Sequence, residues 1–238
     1  MIQLNGMSEF INASFLVFLG FSTSLIWLLL YLREDAHPEP KKIIVKVFLM
    51  GIIVAPLAVI AQYLVMDSGI KPPTASFFLI AALIEEIVKL LAVAAIVLWK
   101  PEFDEPVDAM IYLVVAALGF AAIENILMLF KTHPNSGTII AIQVLGLRFV
   151  GATFLHTLAS SLMGYFLAMS WFHDRHKMKL IIFGILIATA FHFAFNFLLV
   201  SLEPQKAFII TSIALMAIAV LILCLFHKLR SRRGLFGS

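Results

Sequence analysis

Four apolar stretches of this chain carry side chains that can move protons or bind a cation. The first contains Glu85-Glu86-Ile87-Val88-Lys89 and the second Gly119-Phe120-Ala121-Ala122-Ile123-Glu124-Asn125. The third contains His156, preceded by Arg148, and the fourth has His192 followed four residues later by Asn196. A carboxylate and a histidine facing one water can take its proton and leave a nucleophile, while a second histidine and an amide can donate hydrogen bonds to an oxyanion. Two histidines and a carboxylate can also hold a divalent metal such as zinc, with one position left for water. Glu86, His156 and His192 are the candidates for that set. They stand on different segments, so spacing leaves a metal site and a metal-free site equally open. Covalent acyl transfer is disfavoured: there is no Gly-Xaa-Ser-Xaa-Gly, and Cys224, the single cysteine, is remote from the histidine segments. His-Glu-Xaa-Xaa-His is also absent.

The elements that must position these groups are membrane helices. Apolar residues make up 62% of the 238 and charged residues 13%, with a mean hydropathy of +1.05. A water-soluble domain carries about a quarter charged residues, so the solvent of this chain is lipid. About 20 apolar residues cross the hydrocarbon. That rule predicts an all-α, polytopic transmembrane bundle with spans near Phe10–Leu32, Ile43–Met66, Ser76–Trp99, Val107–Phe130, Phe149–Phe172, Met178–Val200 and Ala207–Phe226. The breaks fall at Pro38 and Pro40, Pro72 and Pro73, Pro101 and Pro106, Pro134 with Gly137, and Pro204. The stretch from Thr138 to Phe172 is too long for one straight crossing, so an eighth element, interfacial or re-entrant, fits there. No internal repeat or linker divides the chain, which reads as a single membrane domain over 1–238, with the candidate residues lying within about 75–200.

Charge sets the expected orientation. Twelve of the 17 Lys and Arg residues fall on one side: in the loops after the first, third and fifth spans and in the C-terminal tail. Lys71, Lys131 and Lys206 fall on the other. The positive-inside rule then puts the N-terminus outside and the C-terminus in the cytoplasm of a multi-pass membrane protein. The basic tail is explained by topology and anionic headgroups, without nucleic acid.

A charge at mid-bilayer costs roughly 2.5–3.5 kcal/mol, so Glu85, Glu86, Lys89 and Glu124 together represent on the order of 10 kcal/mol. Such groups must pair, ligate or do chemistry. At about 1.5 Å per residue, Glu85, Glu124, His156 and His192 lie roughly 9–14 Å below the outer ends of their spans, and Asn196 roughly 6 Å. Four helices that agree in depth predict one site. Glu85 and Glu86 point about 100° apart with Lys89 between them, so the spacing does not say which carboxylate the ammonium holds.

These ordered motifs, from Glu85-Glu86 and Lys89 through Asp104-Glu105-Pro106-Val107-Asp108, Glu124-Asn125, Arg148 with His156, and His192-Phe193-Ala194-Phe195-Asn196, resemble the PrsW family of intramembrane proteases. That family is similar to the type II CAAX prenyl endopeptidases and the wider CPBP group. The resemblance covers roughly 75–200. It implies hydrolysis of a peptide bond in or near the membrane segment of a single-span regulatory protein of the anti-sigma-factor kind. It also implies roles: Glu85 or Glu86 with His156 activating water, His192 and Asn196 stabilising the oxyanion, and Lys89, Glu124, Asn125 and Arg148 supporting them. The cofactor is left as a divalent metal or none, and the enzyme as metallo or glutamic in type. One departure is that the CAAX enzymes have Arg four residues after the second Glu, whereas this chain has Lys three after it, which argues against a prenylated substrate. Two other classes compete. A proton- or ion-coupled transporter would use the same groups as a relay, but the odd span count and missing inverted repeat oppose it. A non-catalytic membrane scaffold would keep them only as glue.

Overall fold

The computed structural model describes residues 2–33 and 38–233 and is helical, with no strand among the described residues. The helices are α1 (Ile2–Arg33), α2 (Lys41–Asp67), α3 (Ala75–Ile96), α4 (Asp108–Val150), α5 (Ala152–Met169), α6 (Lys177–Ser201) and α7 (Pro204–Arg233). Six helical segments are long and apolar enough to cross a membrane among the described residues. The predicted third span, α3, falls outside that count because Glu85, Glu86 and Lys89 lie within its 22 residues. Its charges turn inward: all three are buried, and the helix packs on α2 and α6. The bundle of about seven spans expected from hydropathy is therefore present.

Helix ends follow local chemistry. Pro40 precedes α2, and Pro204 opens α7, where its missing N–H costs nothing. Thr74 caps α3, its Oγ1 accepting from the Phe77 amide at 3.3 Å. The loop before α4 is tied by Asp108, whose Oδ2 accepts from the Asp104 and Glu105 amides at 3.1 and 2.7 Å. Both α1 and α7 run past their predicted ends at Phe10 and Phe226. Hydropathy marks only the portion in hydrocarbon, and a helix continues into water without penalty.

α4 is the axis of the fold. Every residue from Val107 to Ala122 is buried, enclosed by α1, α2, α3 and α5. At its crossing with α2 the backbones nearly touch. A Cβ on Gly51 would sit 2.1 Å from the Ala116 carbonyl oxygen, and one on Gly119 would sit 2.0 Å from that of Phe48. Small residues bring helices this close in lipid, where packing and not water exclusion drives association.

The ambiguous stretch after Thr138 resolves into two helical pieces. α4 passes through Pro134 and breaks at Gly137, which has φ 78°, a left-handed conformation that glycine adopts without strain. The piece beyond it, 138–150, runs back beside the first arm: Ala141 and Leu145 cluster with Leu129 and with Leu16 of α1. Its 13 residues rise about 20 Å, too little to cross alone. The backbone leaves the helix again at Gly151 (φ −104°, ψ −92°) before α5 begins, and beside that break Trp27 Nε1 donates to the Phe149 carbonyl at 2.9 Å. Trp27 also stacks on Phe154, so it joins α1 to α5.

Enlarging the α2–α4 contact should be severely destabilising. Gly119→Leu should lower the thermal midpoint in detergent by the equivalent of about 3 kcal/mol or more. Gly146→Ala, at an exposed helical position with nothing within 4 Å of the added carbon, should be neutral or slightly stabilising.

Candidate intramembrane active site

α3 and α6 meet through their charged and polar turns. Glu86 is fully buried, and its Oε1 accepts from Lys89 Nζ at 2.7 Å and from His192 Nδ1 at 2.8 Å. Because a carboxylate can only accept, His192 carries a proton on Nδ1, and in the neutral ring its Nε2 then carries the lone pair. That nitrogen faces Glu85 Oε2 at 3.6 Å. The other Glu85 oxygen accepts from Gln62 of α2 at 2.9 Å. Among the described residues neither Glu85 Oε2 nor Glu86 Oε2 has a hydrogen-bond partner, and both are shut off from solvent.

α4 and α5 supply the second half. Lys89 Nζ donates to His156 Nδ1 at 2.8 Å and lies 4.8 Å from the centre of the Phe120 ring, a cation–π contact. With Nδ1 accepting, His156 carries its proton on Nε2 and donates it to Glu124 Oε2 at 2.7 Å. The Arg148 Nη2 donates to the same oxygen at 3.2 Å, and its Nε to Asn125 Oδ1 at 2.6 Å. Asn125 Nδ2 donates in turn to Thr23 of α1 at 2.8 Å and Thr153 of α5 at 3.0 Å. The break at Gly151 is what lets Arg148, Thr153 and His156 all reach one turn of α4. The two histidine rings stand edge to face, 4.9 Å between centres.

One continuous cluster therefore joins Glu85, Glu86, Lys89, Glu124, Asn125, Arg148, His156 and His192. The depth agreement read from the sequence corresponds to contact. Asn196 stands apart: it is half-buried one turn beyond His192 and makes no hydrogen bond to the cluster among the described residues. Sequence reasoning missed Gln62, Thr23, Thr153 and Phe120. Gln62 and the Ser22-Thr23-Ser24 run do signal themselves as polar residues inside apolar spans, whereas nothing marked Phe120 as the ring beneath an ammonium.

Comparison with known proteins agrees with this arrangement. A family model described as "PrsW family intramembrane metalloprotease" matches residues 39–225, from the loop before α2 into α7. The chain belongs to the PrsW family. Protease PrsW of Geobacillus kaustophilus is 32% identical over 174 residues, covering 73% of this chain and 74% of that protein. Its counterpart in Clostridioides difficile is 30% identical over 167 residues, 68% of each. That of Oceanobacillus iheyensis is 28% identical over 181 residues, 76% of this chain and 80% of the relative. No solved structure matches significantly. As a PrsW protein the chain is an intramembrane protease, a multi-pass protein of a bacterial membrane.

The family description names a metal, and the side chains can be tested for one. Glu85, His156 and His192 each offer a ligand atom, and these atoms lie within 4.8 Å of one another. The expected carboxylate was Glu86. In this PrsW protein Glu86 is occupied by Lys89 and by His192 Nδ1, and Glu85 takes its place in the set. Two of the donors fit directly: with the imidazole neutral and the carboxylate ionised, His192 Nε2 and Glu85 Oε2 turn lone pairs toward one another. Glu86 behind His192 Nδ1 is the carboxylate that typically backs a metal-bound histidine. His156 fits only if it gives up one of its two present hydrogen bonds.

The cluster predicts an asymmetric response to neutralisation. Lys89→Met leaves Glu86 buried without its cation and should cost about 3–5 kcal/mol. Adding Glu86→Gln to that variant should recover most of the loss, because a neutral amide no longer needs the ammonium. Thermal unfolding of the two variants in detergent checks this.

Proposed function

We propose that this intramembrane protease hydrolyses its peptide bond with water activated by Glu85 and His192, and that Glu86, Lys89, His156 and Glu124 hold that pair in place. The observation that carries the reading is the facing of two buried proton acceptors, Glu85 Oε2 and His192 Nε2, at 3.6 Å with nothing donating to Glu85 Oε2. A water bridging the pair from the side, in hydrogen-bond reach of both, finds two acceptors and directs its oxygen lone pairs outward. Its proton passes to Glu85 and its oxygen bonds to the carbonyl carbon. When the C–N bond breaks, that proton goes to the departing amine. Glu86 keeps His192 in the tautomer with Nε2 bare.

The earlier assignment of His156 as the partner of the base is revised in this reading. Both its nitrogens are engaged, which supports a role in orienting Lys89 and, through it, Glu86. The oxyanion role expected for His192 passes to donors nearby, of which Asn196, one turn along α6, is the sequence-based candidate. Glu85, His192 and His156 would hold a divalent cation, which would supply an acidified water and polarise the carbonyl. Catalysis would then occupy the 75–200 region of a single domain, with Gln62 of α2 supporting it from outside.

The distribution of basic residues supports an N-terminus outside and a cytoplasmic tail, with the cluster toward the outer half of the membrane. A substrate reaching it would be a single-span protein cut near the extracytoplasmic end of its membrane segment. An anti-sigma factor is the regulatory class that the family resemblance implies.

Glu85→Gln should reduce cleavage of a single-span reporter by at least about 100-fold while leaving the thermal midpoint near that of the parent, since Gln62 still has an oxygen to bond. His192→Ala should abolish cleavage as well. Cleavage at the parent rate by Glu85→Gln would sink the proposal. Incubating the parent protein with a chelator, and identifying fragments by mass spectrometry, separates the metal-dependent route from the metal-free one: loss restored by zinc indicates the former, unchanged activity the latter.

A further inference from the structure

A cavity of about 600 Å³ opens between α1, α5 and α7, away from the cluster. Its walls are Trp27, Leu30 and Tyr31 of α1, Phe154 and Leu158 of α5, and the α7 face that includes Ala219 and Leu223. At the end where α1 and α7 finish it is lined by Arg33, His227 and Arg230, and no carboxylate lines it among the described residues. The Arg230 Nη2 is shut off from solvent and has no hydrogen-bond partner among the described residues. A guanidinium held in this way, at the rim of an apolar slot, is poorly solvated until an anion reaches it.

We propose that this slot binds one anionic phospholipid, with an acyl chain between α1, α5 and α7 and the phosphate between Arg33 and Arg230. The alternative occupant of an apolar groove in a protease of this kind is a substrate helix, and the volume decides against it. A helix about 10 Å across fills 600 Å³ in roughly 8 Å, about five residues. The volume falls within the range of small-ligand sites, about 300–1,000 Å³. The charge also selects the lipid: basic groups beside membrane spans attract anionic headgroups on the cytoplasmic leaflet, and the slot's basic rim lies at the basic ends of α1 and α7.

The position on α5 separates this site from the chemistry. Phe154 and Leu158 are four apart and share a face. His156 lies midway between them, about 200° around the helix from each, and faces the catalytic cluster. The lipid therefore rests against the back of the helix that carries His156, and Tyr31, a slot residue, donates to Thr157 Oγ1 at 3.2 Å.

The test uses the full-length protein in neutral detergent, titrated with phosphatidylglycerol, phosphatidylcholine or inorganic phosphate and read by native mass spectrometry. The parent should retain one phosphatidylglycerol per chain, and Arg33→Gln with Arg230→Gln should bind it at least about ten-fold more weakly. Ala219→Trp, which fills the slot and keeps both arginines, should also lose it. Phosphatidylcholine and free phosphate should bind no better than background. The proposal is overturned if the arginine variant retains phosphatidylglycerol as the parent does, or if Ala219→Trp does. It is equally overturned if the two lipids bind alike, if free phosphate binds as well as the lipid, or if a single-span peptide displaces the lipid and crosslinks at Leu223.

Discussion

The buried ammonium of Lys89 organises the centre of this molecule. In hydrocarbon an unpaired charge is costly enough to empty the folded state, yet Lys89 is fully buried. It is tolerated because three helices bring it partners: Glu86 on its own helix, His156 on α5 and the Phe120 ring on α4. Each partner is thereby oriented. Glu86 turns its carboxylate toward His192, and His156 is left with its proton on the side of Glu124. Remove the ammonium and His156 Nδ1 loses the donor that fixes its tautomer, while Glu86 loses the cation beside it.

That dependence explains why the bundle is built around α4. A helix buried on all sides between Val107 and Ala122 presents Phe120 and Glu124 inward only if its neighbours approach closely. The glycines at the α2 crossing and the break at Gly151 permit this. The break also has a chemical consequence. A continuous helix from 138 to 169 would spread Arg148, Thr153 and His156 over about 12 Å of axis, whereas here all three engage Glu124 or Asn125.

Two buried carboxylates one residue apart acquire different tasks by this arrangement. Glu86 accepts from a lysine and a histidine on one oxygen, which suits it to orienting both. Glu85 has an amide on one oxygen and an open second oxygen against His192, so it is the group able to accept a proton or ligate a cation. The lipid slot lies on the opposite face of α5, where bulky apolar side chains and a basic rim replace the polar cluster. One helix therefore separates a site for chemistry from a surface suited to lipid.

Much of this protein was legible before any coordinates. Lipid as solvent followed from composition, the spans from hydropathy, the breaks from proline and glycine, and the clustering of Glu85, Glu124, His156 and His192 from their shared depth. These are properties of single helices, governed by length and periodicity. The pairing of Lys89 with Glu86 and not Glu85 was undetermined in the sequence, since the ammonium lies between them at one turn's distance. So were the exchange of Glu86 for Glu85 in the possible metal set, the contribution of Gln62 and Thr23 from other spans, and the separation of Asn196 from the cluster. Those depend on how helices rotate and cross, set by close glycine contacts and a broken backbone at Gly137 and Gly151. Such interactions join residues far apart in the chain, as Glu86 and His192 are, 106 positions from one another, and only the assembled bundle decides them.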